Sequence, residues 1–122
     1  MGQSGKISRA LVISDDEKTR QISAILIEES GFQVMEAATI EQADPILERH
    51  AEKLDLVFAD ACSGRDARDL AQRIATTWPW IRVVVSLDHS DDTGATWPTN
   101  SSTMKQPWYP LDLLIEAERA LN

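Results

Sequence analysis

The chain has 122 residues, 43% of them apolar, which is enough for one buried core and too little for two domains. Acidic residues outnumber basic ones by 20 to 12, a net charge of −8, and this argues against the basic face that binds nucleic acid. Cys62 is the only cysteine, so no intrachain disulfide can form; no apolar run approaches the roughly 20 residues that span a bilayer, and the polar start Met1 to Lys6 lacks a secretory centre.

A cytoplasmic protein engaging neither nucleic acid nor membrane is expected. The first apolar run, Ala10-Leu11-Val12-Ile13, is short and β-branched, and it runs into Ser14-Asp15-Asp16-Glu17. It reads as a buried strand ending in an acidic turn. Glu17 to Ser30 follows as a helix with Ile22, Ile25, Leu26 and Glu29 at helical spacing, stopped by Gly31. Phe32 to Ala37 alternates and predicts a second strand. The next helix has Thr39 as its cap and carries Ile46, Leu47 and His50. Pro45 either kinks it or starts it behind an Asp44 cap, and the kink is preferred.

Leu54 to Ala59 is the third strand, and it runs straight into Asp60. Asp66 to Thr77 predicts a helix with Leu70, Ala71, Ile74 and Trp78 on one face. Ile81 to Val85 is the fourth strand, ending at Ser86-Leu87-Asp88. From Asp88 to Ser102 no periodic apolar face survives, so a loop is expected. A short fifth strand over Ser101 to Lys105 precedes a last helix, opened by Pro110, with Leu111, Leu114, Ile115, Glu118 and Leu121.

Strands alternating with helices predict an α/β fold, a doubly wound five-stranded parallel sheet of order 2-1-3-4-5. Ligands of such sheets bind beyond the carboxyl ends of the strands, where the order reverses. Asp15 and Asp16 follow the first strand and Asp60 follows the third, its neighbour in that order. Acids at a helix start also cap the helix and suit its dipole, which is the plainer reading of Asp15-Asp16-Glu17 taken alone. Together with Asp60 they form a cluster of like charges that calls for a cation, and hard oxygen ligands suit Mg²⁺. A carboxylate beside Mg²⁺ is a plausible phosphoryl acceptor, because phosphoryl transfer needs mainly positioning and charge neutralisation.

Leu11-Val12-Ile13-Ser14-Asp15-Asp16-Glu17 resembles the hydrophobic strand with paired acids of response-regulator receiver domains, and Leu54-Asp55-Leu56-Val57-Phe58-Ala59-Asp60 resembles the strand that presents their phosphoacceptor. The resemblance runs from Arg9 to Leu121 and implies a single receiver domain over 1–122 with a CheY-like (flavodoxin-like) fold. It makes Asp60 the phosphoacceptor, supplied by a histidine kinase or a phosphotransfer protein. It has Asp16 and Asp60 bind Mg²⁺ directly, Asp15 through water, and the Cys62 backbone carbonyl complete the set. Ser86 falls at the switch position, where a hydroxyl can donate to the phosphoryl group. It leaves open a homodimer through the last helix and fifth strand.

Four departures from the family stand out. Receivers place a lysine immediately before a proline at the end of the fifth strand, whereas this chain reads Met104-Lys105-Gln106-Pro107. Aligned on Pro107, the lysine position holds Gln106. Lys105 is one residue early and faces the other way without a bulge, so both are doubtful phosphate contacts. The aromatic usual before that lysine has no match in Ser101, Ser102 or Thr103. The loop Ala61 to Arg65 lacks the usual Met-Pro pair, and the fourth helix is expected to be short or missing, as in a group of stand-alone receivers.

Cys62 lies among acids that disfavour a thiolate, so it is read as structural. His50 and His89 are surface residues rather than a metal pair. Trp78 and Trp80 are expected to seal the core edge. Trp97 and Trp108 either fold back on the core or face a partner. Two functions compete: a single-domain phosphorelay regulator that changes what it binds, and a pseudo-receiver interaction module that kept the fold and lost efficient phosphorylation. A phosphatase is disfavoured, since no residue is placed as general acid or base, so the chain is not read as an enzyme.

Overall fold

The structure is a computed structural model that describes residues 7–60, 64–87, 96–106 and 108–121. Five parallel strands, β1 (Ser8–Ile13), β2 (Phe32–Ala37), β3 (Leu56–Asp60), β4 (Arg82–Leu87) and β5 (Ser101–Lys105), form one sheet in the order β2-β1-β3-β4-β5. Among the described residues four α-helices cover it: α1 (Glu17–Glu29), α2 (Ile40–His50), α3 (Gly64–Thr77) and α4 (Pro110–Leu121). A 3₁₀ turn, Ala51–Lys53, leads from α2 toward β3. None of the helices is long and apolar enough to cross a membrane.

The central strands are buried on both faces, which is why they read as unbroken apolar runs rather than alternating ones. Along β1, Leu11 and Ile13 join the core under α2 and α3 with Val57, Ala59, Val83 and Val85. Ala10 and Val12 point the other way, into the core under α1 and α4 with Phe58, Val84, Met104 and Leu113. β5 is an edge strand, and within it only Met104 is buried. Arg82 ties the edge down, donating from Nη2 to Ser102 Oγ at 2.6 Å and to Glu116 on α4 at 3.0 Å.

Two helices bury a different stripe from the one expected. On α1 the buried side chains are Ser23, Ala24 and Ile27, while Ile22 and Ile25 are more than half exposed. On α4 they are Leu113 and Ala117, and Leu111, Ile115 and Leu121 face solvent. Small residues let a helix lie close to a sheet, so Ser23, Ala24 and Ala117 decide the facing where a count of large apolar residues does not. α1 ends at Ser30, and Gly31 takes φ +107°, a left-handed conformation that glycine adopts at little cost.

α2 runs unbroken through Pro45, so Asp44 is not its cap. Thr39 holds that place, its Oγ1 accepting from Gln42 N–H at 3.0 Å, and Gln42 Oε1 accepts in turn from Ala38 N–H at 3.0 Å. Trp78 packs on the core beneath Arg73, whereas Trp80 is half exposed and donates to Ala51 O at 3.0 Å. Trp97 is folded back against the core. His50 is half-buried. Residues 96–100 are non-helical, and the rest of the expected 88–102 loop, with His89, lies outside the described residues, as do Cys62 and most of its loop.

Candidate functional site

The pairing of β1 with β3 sets Ile13 level with Ala59, so the next pair, Ser14 and Asp60, meet at the carboxyl rim of the sheet. Ser14 is fully buried and held on several sides. Its N–H donates to Ala37 O at 3.1 Å, its carbonyl accepts from Arg20 Nη1 at 2.9 Å, and its Oγ accepts from Asp16 N–H at 3.2 Å. Arg20 is braced in turn by Glu36 on β2, at 3.2 Å. With its backbone fixed in this way, the Ser14 hydroxyl donates to Asp60 Oδ2 at 3.1 Å.

Asp60 is 3% exposed, a carboxylate at the end of the central strand. Its second oxygen, Oδ1, accepts from Gln106 Nε2 and from Trp108 Nε1, each at 3.3 Å. Gln106 and Trp108 are both neutral donors. Of the two doubtful fifth-strand residues, Gln106 therefore reaches Asp60. Lys105 is exposed and lines a groove between β5 and α4 with Asp112, Glu116 and Arg119. On the far side, β4 sets Ser86 level with Asp60. Ser86 is fully buried, and its Oγ makes no hydrogen bond with any described residue.

A cleft of about 490 Å³ opens beside Asp60, lined by Asp15, Asp60, Asp66 and Asp69, with Asp44 of α2 and Arg73 of α3. It brings Asp15 and Asp60 together. It does not take in Asp16, whose Oδ2 caps α1 by accepting from the Thr19 N–H at 2.9 Å and from the Thr19 hydroxyl. Those two Thr19 bonds, with Lys18 and Arg20 nearby, hold the Asp16 carboxyl below its ordinary pKa of 3.8. The stability gained from the charged cap is thus present above pH 3.8 and is lost as pH falls through the lower folded value. Asp16→Asn, which caps as well but does not titrate, is expected to give a Tm that falls less steeply than wild type's below about pH 4. A melting series from pH 7 to pH 2 checks this, and parallel curves would refute it.

Among the described residues no three His, Cys, Asp or Glu side chains converge into a ready-made metal cage. Mg²⁺, however, is commonly held by one or two carboxylates, with water and phosphate oxygens completing its shell. Asp15 and Asp60 supply that donor chemistry in one cleft.

Two residues of the site escaped the sequence reading. Ser14 was passed over in favour of the acids after it; the signal was the register, since the apolar run of β1 stops at Ile13 and that of β3 at Ala59. Trp108 was read as either folded back or presented to a partner. Its indole folds back edge-on to Phe58, with ring centroids 5.6 Å apart and planes at 90°, and its N–H ends on Asp60.

No protein-family model matches the sequence. The chain is 31% identical over 88 residues to AlgB, the alginate biosynthesis transcriptional regulatory protein of Pseudomonas aeruginosa, a match covering 71% of this chain and 19% of that protein. A response-regulator receiver domain from Clostridium thermocellum superposes with a TM-score of 0.76 at 23% identity, over 95% of both chains. A response regulator from Thermotoga maritima gives 0.73 at 24% identity, over 94% of this chain and 98% of that one. The sheet order, the helices on both faces and these likenesses agree: the chain has the CheY-like fold of response-regulator receiver domains.

Proposed function

We propose that this receiver accepts a phosphoryl group on Asp60 from a histidine kinase or a phosphotransfer protein, with Mg²⁺, and signals by changing what the domain binds. One observation carries the reading: the buried Asp60 carboxylate stands beside a buried Ser86 hydroxyl that has no described partner. An unpaired buried hydroxyl is costly, and a phosphoryl oxygen on Asp60 gives it an acceptor. In the transfer, an Asp60 oxygen forms the new P–O bond while the bond from phosphorus to the donor's leaving group breaks, and that group departs with the electron pair. Asp15 and Asp60 are the residues that would hold Mg²⁺, with the Cys62 carbonyl as the family resemblance has it, and Asp16 kept as the helix cap. Bound Mg²⁺ supplies positive charge against the phosphoryl oxygens.

Incubation with Mg²⁺ and acetyl phosphate tests the proposal. The intact mass is expected to rise by one phosphoryl group in wild type and not in the presence of EDTA. No increase in wild type favours the second reading, a pseudo-receiver that binds partners without being phosphorylated. That alternative has its own support, because Gln106 sits against Asp60 where the family has a lysine, and glutamine brings no positive charge.

Ser86→Ala separates folding from function. It removes a hydroxyl that bonds nothing described, so Tm is expected to stay at or above the wild-type value. Affinity for beryllofluoride, a phosphoryl mimic, is expected to fall about tenfold, the usual worth of one hydrogen bond to a charged group. Titration calorimetry with Mg²⁺ present measures it, and an unchanged affinity removes Ser86 from the site.

A further inference from the structure

We infer that Trp108 and Gln106 form a clasp on Oδ1 of Asp60 that opens before that oxygen can take up a ligand. This rests on Asp60 being the acceptor. A carboxylate oxygen carries two lone-pair sites, and Oδ1 already accepts from Gln106 Nε2 and Trp108 Nε1. A group entering on Oδ1 has to displace at least one of them.

The clasp is built to hold and to yield. Trp108 is anchored by its edge-on contact with Phe58, two residues before Asp60 on the same strand, so the indole N–H is delivered to Asp60 rather than left to wander. Both bonds are 3.3 Å, at the long end of hydrogen-bond geometry, and both donors are uncharged. Indole nitrogen donates only, and its single hydrogen serves one acceptor at a time. A ligand on Oδ1 and the Trp108 bond therefore compete. Trp108 lies just ahead of Pro110, the first residue of α4, and Tyr109 N–H is fastened to Asp112 Oδ2 at 2.9 Å. Release of the indole thus reaches the start of α4, next to the 72%-exposed Tyr109 ring.

Beryllofluoride with Mg²⁺ tests the clasp on the intact chain. Trp108→Phe keeps a ring against Phe58 and deletes only the donor, so it is expected to bind about five- to tenfold more tightly than wild type. In wild type, the Trp108 indole ¹⁵N–¹H resonance is expected to shift on binding, identified by its absence from the variant, while ¹⁹F spectra report occupancy independently. Equal or weaker binding by Trp108→Phe overturns the clasp, and so does an unmoved indole resonance once ¹⁹F signals show the site filled. Should the variant fail to fold, the wild-type resonance decides alone. If neither protein gives a bound ¹⁹F signal, Asp60 is not an acceptor and the clasp falls with it, an outcome distinct from failure of the clasp alone.

Discussion

Asp60→Asn is expected to abolish the mass gain from acetyl phosphate and the response to beryllofluoride while leaving the fold nearly as stable as before. The substitution is close to isosteric, and the amide can rebuild the local bonds. Its carbonyl oxygen can accept from Gln106 and Trp108 as Oδ1 does, and its NH₂ can face the Ser14 hydroxyl, which then accepts instead of donating. What is lost is the anionic oxygen, which is both the nucleophile and a hard ligand for Mg²⁺. Asp60→Ala behaves differently. It takes the acceptor from the part-buried Gln106 and Trp108 donors and leaves the Ser14 hydroxyl only Asp16 O, at a cost of about 1–3 kcal/mol. Mass spectrometry and urea melts on the two variants separate the roles, and phosphoryl uptake by Asp60→Asn would place the acceptor elsewhere.

The uncharged Ser14, Gln106 and Trp108 donors on Asp60 bear on how the site works as a switch. A positively charged donor on Asp60 would strengthen its hold on an incoming anion, and Gln106 gives none. Ser14, Ser86, Gln106 and Trp108 each bring a hydrogen-bond donor to the site.

The sheet was readable in the sequence because strands buried on both faces leave an apolar run with a sharp polar end. Leu11-Val12-Ile13 before Ser14, and Val57-Phe58-Ala59 before Asp60, mark both the strands and their rims. β5 was legible despite its polar sequence because its position between a loop and the Pro110 helix start left little else for it to be. Helix facing was harder. Ile22 to Ile27 contains more apolar residues than one stripe can hold, so composition admitted several faces, and contact with the sheet chose Ser23, Ala24 and Ile27. Asp16 illustrates a different limit. An acid at the first turn of a helix can serve as cap or as metal ligand, and only the structure shows that Oδ2 of Asp16 takes the cap. Trp108 depends on a contact 48 residues apart in sequence, which is not written in any local pattern.

Phe58→Ala is expected to be among the most destabilising single substitutions in this domain, by about 3–5 kcal/mol. Phe58 is fully buried in the middle of the central strand, packed in the core that holds Val12, Val84, Met104 and Leu113. Removing the ring leaves a cavity flanked by strands on either side, where backbone hydrogen bonds restrict collapse. The Trp108 contact goes too, and edge-on aromatic pairs contribute about 0.5–1.5 kcal/mol beyond their buried area. A domain of this size holds about 5–15 kcal/mol in all, so the variant is expected to unfold at a markedly lower urea midpoint. Phe58→Leu fills much of the volume and is expected to lose less, but it too takes away the ring that positions Trp108. Its indole emission should therefore change even where the fold survives. A Phe58→Ala cost below about 1 kcal/mol would mean that the strand beneath Asp60 is not the rigid support on which the site depends.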